Sequence, residues 1–261
     1  MPEWSQRQPA VFIGHGSPTN ALDDNRHTRV WSALGRSLAR PKAVLVVSAH
    51  WYVAGTAVTA MARPKTIHDF YGFAPELYAY EYPAPGEPAL AERVRALLSD
   101  VAVDLDEGWG LDHGAWSVLA HVYPRADMPV IQLSIDGTKP APFHLEIGRK
   151  LAPLRDEGVL ILGSGNVVHN LRVMRRTEAA PPFDWALQFN DVLRERLVAR
   201  DAQALANPMQ FGDAARLSIP TPEHYLPLLY AAGAARDGDA VEVLTDGIEL
   251  GSISMLSVRF G

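Results

Sequence analysis

Cysteine is absent from the 261 residues. That excludes disulfide scaffolds, thiolate metal sites and thiol nucleophiles, and it fits a reducing, cytoplasmic setting. Positive charge is in deficit: 24 Lys and Arg face 30 Asp and Glu, a formal net charge of −6. An acidic surface repels phosphate backbones, so no nucleic-acid partner is expected. Long apolar runs are lacking too. Nothing approaches the ~20 apolar residues of a membrane span, and the opening Met-Pro-Glu-Trp-Ser-Gln-Arg-Gln lacks the pattern of a signal peptide. No membrane association is expected. Internal repeats, low-complexity stretches and long linkers are missing as well. What remains, with 48% hydrophobic and 21% charged residues, reads as one soluble domain over residues 1–261, the first nine of them flexible.

Short apolar, β-branched runs recur along the chain. Ala10 to Ile13, Ala43 to Val47, Val130 to Ile135, Val159 to Leu162 and Val241 to Leu244 read as buried strands. Ala57 to Ala60 and Ser252 to Val258 alternate less cleanly and read as sheet edges. Helical patterns lie between them, at Val30 to Leu38, Ala89 to Leu98, Phe143 to Leu154 and Trp185 to Val198. Proline-rich punctuation, as in Tyr82 to Pro88 and Thr138 to Pro142, separates elements. This alternation predicts a single-domain α/β fold: a central, mostly parallel or mixed sheet with helices on both faces.

The placement of the nine histidines carries the functional argument. His15 follows the first strand in Gly14-His15-Gly16-Ser17-Pro18. His50 ends the next in Ser48-Ala49-His50-Trp51, and His169 lies beyond a third in Gly163-Ser164-Gly165-Asn166-Val167-Val168-His169-Asn170. Loops after the carboxyl ends of strands line the ligand crevice of open α/β sheets, so three strands aim a histidine at one edge. In Thr221-Pro222-Glu223-His224-Tyr225, Thr221 can cap a helix whose first turn carries Pro222 and His224. His113, in Asp112-His113-Gly114-Ala115-Trp116, also stands near a glycine and a helix start. Any single histidine is more often a satisfied structural residue than a ligand. Three at strand ends shift that balance toward a metal site, which without cysteine must use nitrogen and oxygen. The intervals match no short metal motif such as H-E-x-x-H. His27, His68, His121 and His144 read as ordinary structural or surface residues, His144 as a solvated position on a helix.

These same stretches, together with Thr66-Ile67-His68-Asp69-Phe70 and Thr221 to Pro227, resemble the DOPA 4,5-dioxygenase branch of the class III extradiol dioxygenases. The resemblance runs from about Val11 to Gly261 in unchanged motif order. It implies one divalent metal per chain in a cleft at the sheet's carboxyl edge, and no organic cofactor. By motif, His15, His50 and His224 are metal ligands. His169 lies beside the metal, as a fourth ligand or as the acid/base, and His113 faces substrate and oxygen. The wider class uses a glutamate where His224 stands. Glu223 is adjacent, but a neighbour on a helix points about 100° away, so it is not expected to substitute. Fe(II) is expected for activity, while a site of neutral imidazoles also suits Zn(II).

The implied partners are a small aromatic catechol and O₂, the implied reaction ring opening beside the two hydroxyls, and the implied state a monomer or small homo-oligomer. His169, then His113, are the expected proton carriers, because a histidine titrates near working pH. Trp51, Tyr71, Phe73 and Tyr225 are candidates to stack on the ring, Ser17 and Asn166 to orient ligands, and Asp23, Asp69 or Arg26 to hold charged ends of a substrate. Three alternatives stay open on the residues themselves. One is a zinc hydrolase on the same scaffold. Another is a Ser164 nucleophile with His169 as base, although Ser164 lacks the glycine two positions earlier that the elbow motif needs. The third is a binding module that has lost its chemistry.

Overall fold

A computed structural model describes residues 7–177 and 180–261. Among the described residues ten strands form: β1 Ala10–Gly14, β2 Ala43–Val53, β3 Thr56–Thr59, β4 Val103–Asp106, β5 Val130–Asp136, β6 Val159–Gly165, β7 Val241–Thr245, β8 Ile248–Glu249, β9 Ile253–Ser254 and β10 Ser257–Phe260. Eight build one sheet in the order β4-β3-β5-β2-β6-β1-β10-β7, and β8 with β9 makes a small separate ribbon. The centre, β5-β2-β6-β1, is parallel. At the flanks β3 meets β5 antiparallel, and β10 runs antiparallel to both β1 and β7. The sheet is therefore mixed around a parallel core.

The period-2 pleat divides each central strand between two cores. Phe12, Leu45, Val47 and Ile161 face one side, where the helices Pro88–Leu97, Ala141–Leu151, Asp184–Val198 and Leu226–Ala234 pack. Val11, Ile13, Val44, Val46 and Leu162 face the other, under Arg26–Ser37 and His113–Val122. Burying each such side chain stabilises by about 1.5–3 kcal/mol. Continuous apolar runs with buried faces on both sides are what a helix-covered parallel centre requires.

Several expectations need correction. Ser252 to Val258 is not an edge: a break at Met255 and Leu256 splits it, and β10 lies inside the sheet between β1 and β7. Ala57 to Ala60 lies one strand in from the edge formed by β4, whose short Val-Asp-Leu-Asp sequence gives little apolar signal. Val241 to Leu244 is itself an edge and only half-buried. Of the leading segment, residues 1–6 lie outside the described residues. Gln8 and Pro9 are buried, because the fully buried Arg155 donates to Gln8 O, Ala234 O, Asp239 and Phe260 O and so ties residue 8 to the last strand. Among the described residues no helix is long and apolar enough to cross a membrane.

Candidate metal centre

β2, β6 and β1 are neighbours in the parallel centre, so their carboxyl ends open on one edge. His15 is the first residue past β1, and Asn20 Nδ2 donates to its carbonyl. His50 sits in β2 where the pairing with β5 breaks between Val47 and Tyr52, an irregularity that re-aims side chains near a site. His169 follows β6, its N–H donating to Ser218 O and its backbone bridging Ile253 of β9. His113 opens the helix His113–Val122, capped by Asp112, whose carboxylate accepts Ala115 N–H.

His224 is placed differently from expectation. The segment Thr221 to Tyr225 is a turn, and the helix starts only at Leu226. Thr221 Oγ1 donates to the Glu223 carboxylate at 2.8 Å instead of capping. The His224 carbonyl accepts Asn166 N–H at 2.9 Å. A Cβ on Gly165 would stand 2.2 Å from that carbonyl, so only glycine lets β6 approach the turn this closely.

The five histidines expected from sequence meet in one knot, with His15, His113 and His224 buried and His50 and His169 half-buried. Ring centres of His15, His50 and His224 form a near-equilateral triangle with sides of 5.1, 5.1 and 5.5 Å. His113 lies 3.8 Å from His50, and His169 stacks on His224 at 3.4 Å with 9° between planes. Among the described residues two trios have ligand-type atoms within 4.8 Å of one another: His15, His50 and His113, and His169, Glu223 and His224. A cavity of about 850 Å³, lined in part by Tyr52, Pro222, Tyr225 and Met209, includes none of these five rings.

The Nδ1 atom of each triangle member faces its own oxygen. His15 Nδ1 is 2.9 Å from Ser164 Oγ, His50 Nδ1 3.1 Å from Asp69 Oδ2, and His224 Nδ1 3.3 Å from Glu223 Oε1. Ser164 O–H donates to Gly114 O at 2.5 Å, so its oxygen accepts from His15 Nδ1–H and the lone pair of that ring lies on Nε2. A carboxylate can only accept, so Asp69 Oδ2 at 3.1 Å favours the same tautomer for His50. In that tautomer the Nε2 lone pairs of His15 and His50 face each other at 3.3 Å. Two opposed lone pairs call for a cation, so the donor set fits a divalent metal.

The electrostatics agree. Burial, then the neighbouring histidines, lowers the pKa of His15 and His224 well below the usual value. Burial lowers His169 to about 4. His113 is lowered by burial and His50, with Asp69 opposing. Burial pushes the Asp69 carboxyl up, but contacts with His113 and His50 pull it further down, below the usual carboxylate range. At neutral pH these four imidazoles are neutral, the form that binds metal.

Other expected residues take structural places. Ser164 is a fully buried partner of His15, not a nucleophile. Ser17 caps the turn Pro18–Ala21, and Asn166 holds the His224 turn. Trp51 stacks on Trp109, the buried Tyr225 donates to Leu205 O, and Phe73 packs on Phe70; Tyr71 is 93% exposed. Arg26 contacts His27 and Glu249. His27, His68 and His121 contact Glu249, Tyr80 O and Asn20 O. His144 is not solvated: it is fully buried, with Nδ1 2.8 Å from the Tyr230 hydroxyl. Asp69, considered as a substrate anchor, is instead engaged by two histidines, a role signalled only by its place in the His68-Asp69-Phe70 stretch. The buried network around Asp112, which accepts from Ser48 Oγ and Gln132 Nε2, gave no sequence signal.

Comparison with known proteins agrees with this geometry. Residues 9–261 match the family described as the catalytic LigB subunit of aromatic ring-opening dioxygenase. A 4,5-DOPA dioxygenase extradiol of Escherichia coli K12 is 52% identical, over 98% of this chain and 96% of that protein. One of Beta vulgaris is 36% identical over 95% of each. The crystal structure of an uncharacterised E. coli K12 protein superposes with a TM-score of 0.87 at 49% identity, covering 98% of this chain and all of that one. Matched along almost its whole length by the family and by these relatives, the chain belongs to the aromatic ring-opening dioxygenases, as an extradiol enzyme of the LigB group.

Proposed function

We propose that this enzyme opens the ring of a DOPA-like catechol between carbons 4 and 5, acting in the cytoplasm with one divalent metal per chain. The observation that carries the metal assignment is the triangle of His15, His50 and His224, each with Nδ1 on an oxygen partner. In this reading those three rings hold the metal through Nε2, and the ring of His169, stacked on His224, stands beside it as a fourth donor or as the acid/base. The names of the relatives support DOPA as the substrate.

A divalent metal held there, Fe(II) for turnover, supplies Lewis acidity toward the catechol hydroxyls and an electron relay to O₂. Zn(II) competes for the same imidazoles, because neutral nitrogen donors suit it equally. The chain's own residues handle position and protons. His169, lowered to about 4 by burial, is neutral at pH 7 and so has a lone pair free for a catechol proton, whose acidity a bound metal would raise. Once protonated it is a stronger acid than a free imidazolium and returns that proton to oxygen. His113, held by Asp69 on the other side of the knot, is the second proton carrier. His113 is buried, which shields its proton from water, whereas His169 is half-buried. Both atoms of O₂ end on the carbons of the broken bond: one completes a carboxylic acid on carbon 4, the other an aldehyde on carbon 5.

The test is metal-stripped protein loaded anaerobically with Fe(II) or Zn(II), then mixed with L-DOPA and a small catechol panel in air. Oxygen uptake equal to ring-opened product, with iron only and at least a thousandfold weaker in His15→Ala, is expected. No turnover of any catechol by the iron form would overturn the proposed substrate class.

A further inference from the structure

The Asp69 carboxylate touches two histidines to which different work is assigned above. Its Oδ2 lies 3.1 Å from His50 Nδ1 and 3.0 Å from His113 Nδ1. Its Oδ1 accepts the His113 backbone N–H at 3.0 Å, which fixes the start of the helix His113–Val122 against the same group. The two rings it joins are 3.8 Å apart, closer than His50 is to His15 or His224. Both Oδ2 contacts are within hydrogen-bonding distance although neither is aligned as a hydrogen bond, and Asp69 Oδ2 and His113 Nδ1 are buried with no other partner. A carboxylate oxygen has two lone pairs and can face both N–H groups at once.

We propose that Asp69 is a positioning residue shared by the metal-holding ring of His50 and the proton-carrying ring of His113, one carboxylate oxygen setting the tautomer of both. The inference rests on the roles proposed above for those two histidines. With Nδ1–H turned to Asp69, each ring presents an unprotonated Nε2: His50 toward His15, and His113 as a base. An amide in place of the carboxylate offers an N–H donor where an acceptor stood. Asp69→Asn therefore drives both rings toward the opposite tautomer, with the proton on Nε2, where His50 cannot bind metal and His113 cannot accept a proton.

The test reads tautomers directly. Long-range ¹H–¹⁵N spectra of uniformly labelled, metal-free protein at pH 8 are recorded for the wild type and Asp69→Asn, with His50→Ala and His113→Ala supplying assignments. Wild-type His50 and His113 are both expected as Nδ1–H tautomers, and both are expected to switch in Asp69→Asn. Zn(II) titration of the same samples is expected to show a ten- to hundredfold loss of affinity in Asp69→Asn, the size typical of losing a partner behind a metal ligand. An Nε2–H tautomer at either wild-type ring, or unchanged tautomers and affinity in Asp69→Asn, would overturn the proposal. If Asp69→Asn does not fold, the wild-type tautomers alone decide it. The two readings separate cleanly: undiminished Zn(II) binding by His50→Ala refutes the ligand assignment, whereas a loss there without one in Asp69→Asn refutes only the role of Asp69.

Discussion

A buried imidazole is useful to a metal only if its proton is on the far nitrogen, and here that choice is made residue by residue. Ser164 shows the logic most simply. Its hydroxyl proton is committed to Gly114 O, so its oxygen can only accept, and His15 must donate from Nδ1. Ser164→Ala removes that acceptor and leaves Gly114 O without its partner. Metal affinity should fall roughly ten- to hundredfold, and the folded state should lose about 1–3 kcal/mol, measured by Zn(II) titration and urea unfolding. Unchanged affinity would mean that the His15 tautomer is fixed elsewhere. The histidines themselves were legible, because Gly-His-Gly after a strand and a histidine at a strand's end are local signals. Their partners were not. Ser164 and Asp69 lie 149 and 19 positions from the rings they orient, and only the fold brings them together.

Among the elements, the central strands could be read because apolar β-branched runs mark them, whereas edge and interior positions could not. Pairing order is a property of the assembled sheet, which is why β10 and β7 exchanged expected places. The His224 turn shows a tertiary contact overriding a local signal: Thr-Pro-Glu-His looks like a helix start, yet Asn166 N–H and the bare face of Gly165 hold the His224 carbonyl in a turn. His144 shows the same for burial. The helix Ala141–Leu151 turns it into the packed contact with Leu226–Ala234, where it meets the Tyr230 hydroxyl. Burial lowers its pKa to about 4, below the 6.5 of an exposed histidine. Between those values the unfolded chain binds a proton that the folded chain refuses, so stability falls as pH drops from 6.5 toward 4 and levels off below. The loss attributable to this ring should reach no more than about 3 kcal/mol. Urea unfolding of metal-free protein across that range should show a shallower decline for His144→Gln than for the wild type; equal slopes would contradict it.

At the scale of the whole molecule, the α/β class and the gathering of histidines at the carboxyl edge were legible, since three strand-end histidines shared one topological prediction. The sheet's antiparallel flank, built from about the last twenty residues and tied to residue 8 through Arg155, was not. Membership in the ring-opening dioxygenases displaces the hydrolase and inactive-module alternatives that the residues alone left open. The fold gathers histidines from three neighbouring strand ends, a helix start and a turn, so that one metal can reach several at once. Anomalous diffraction from crystals of the Zn(II)-loaded protein tests that claim most directly. A single peak per chain within bonding reach of Nε2 of His15, His50 and His224 is expected. A peak held instead by His169, Glu223 and His224, with His15 and His50 unbound, would contradict it.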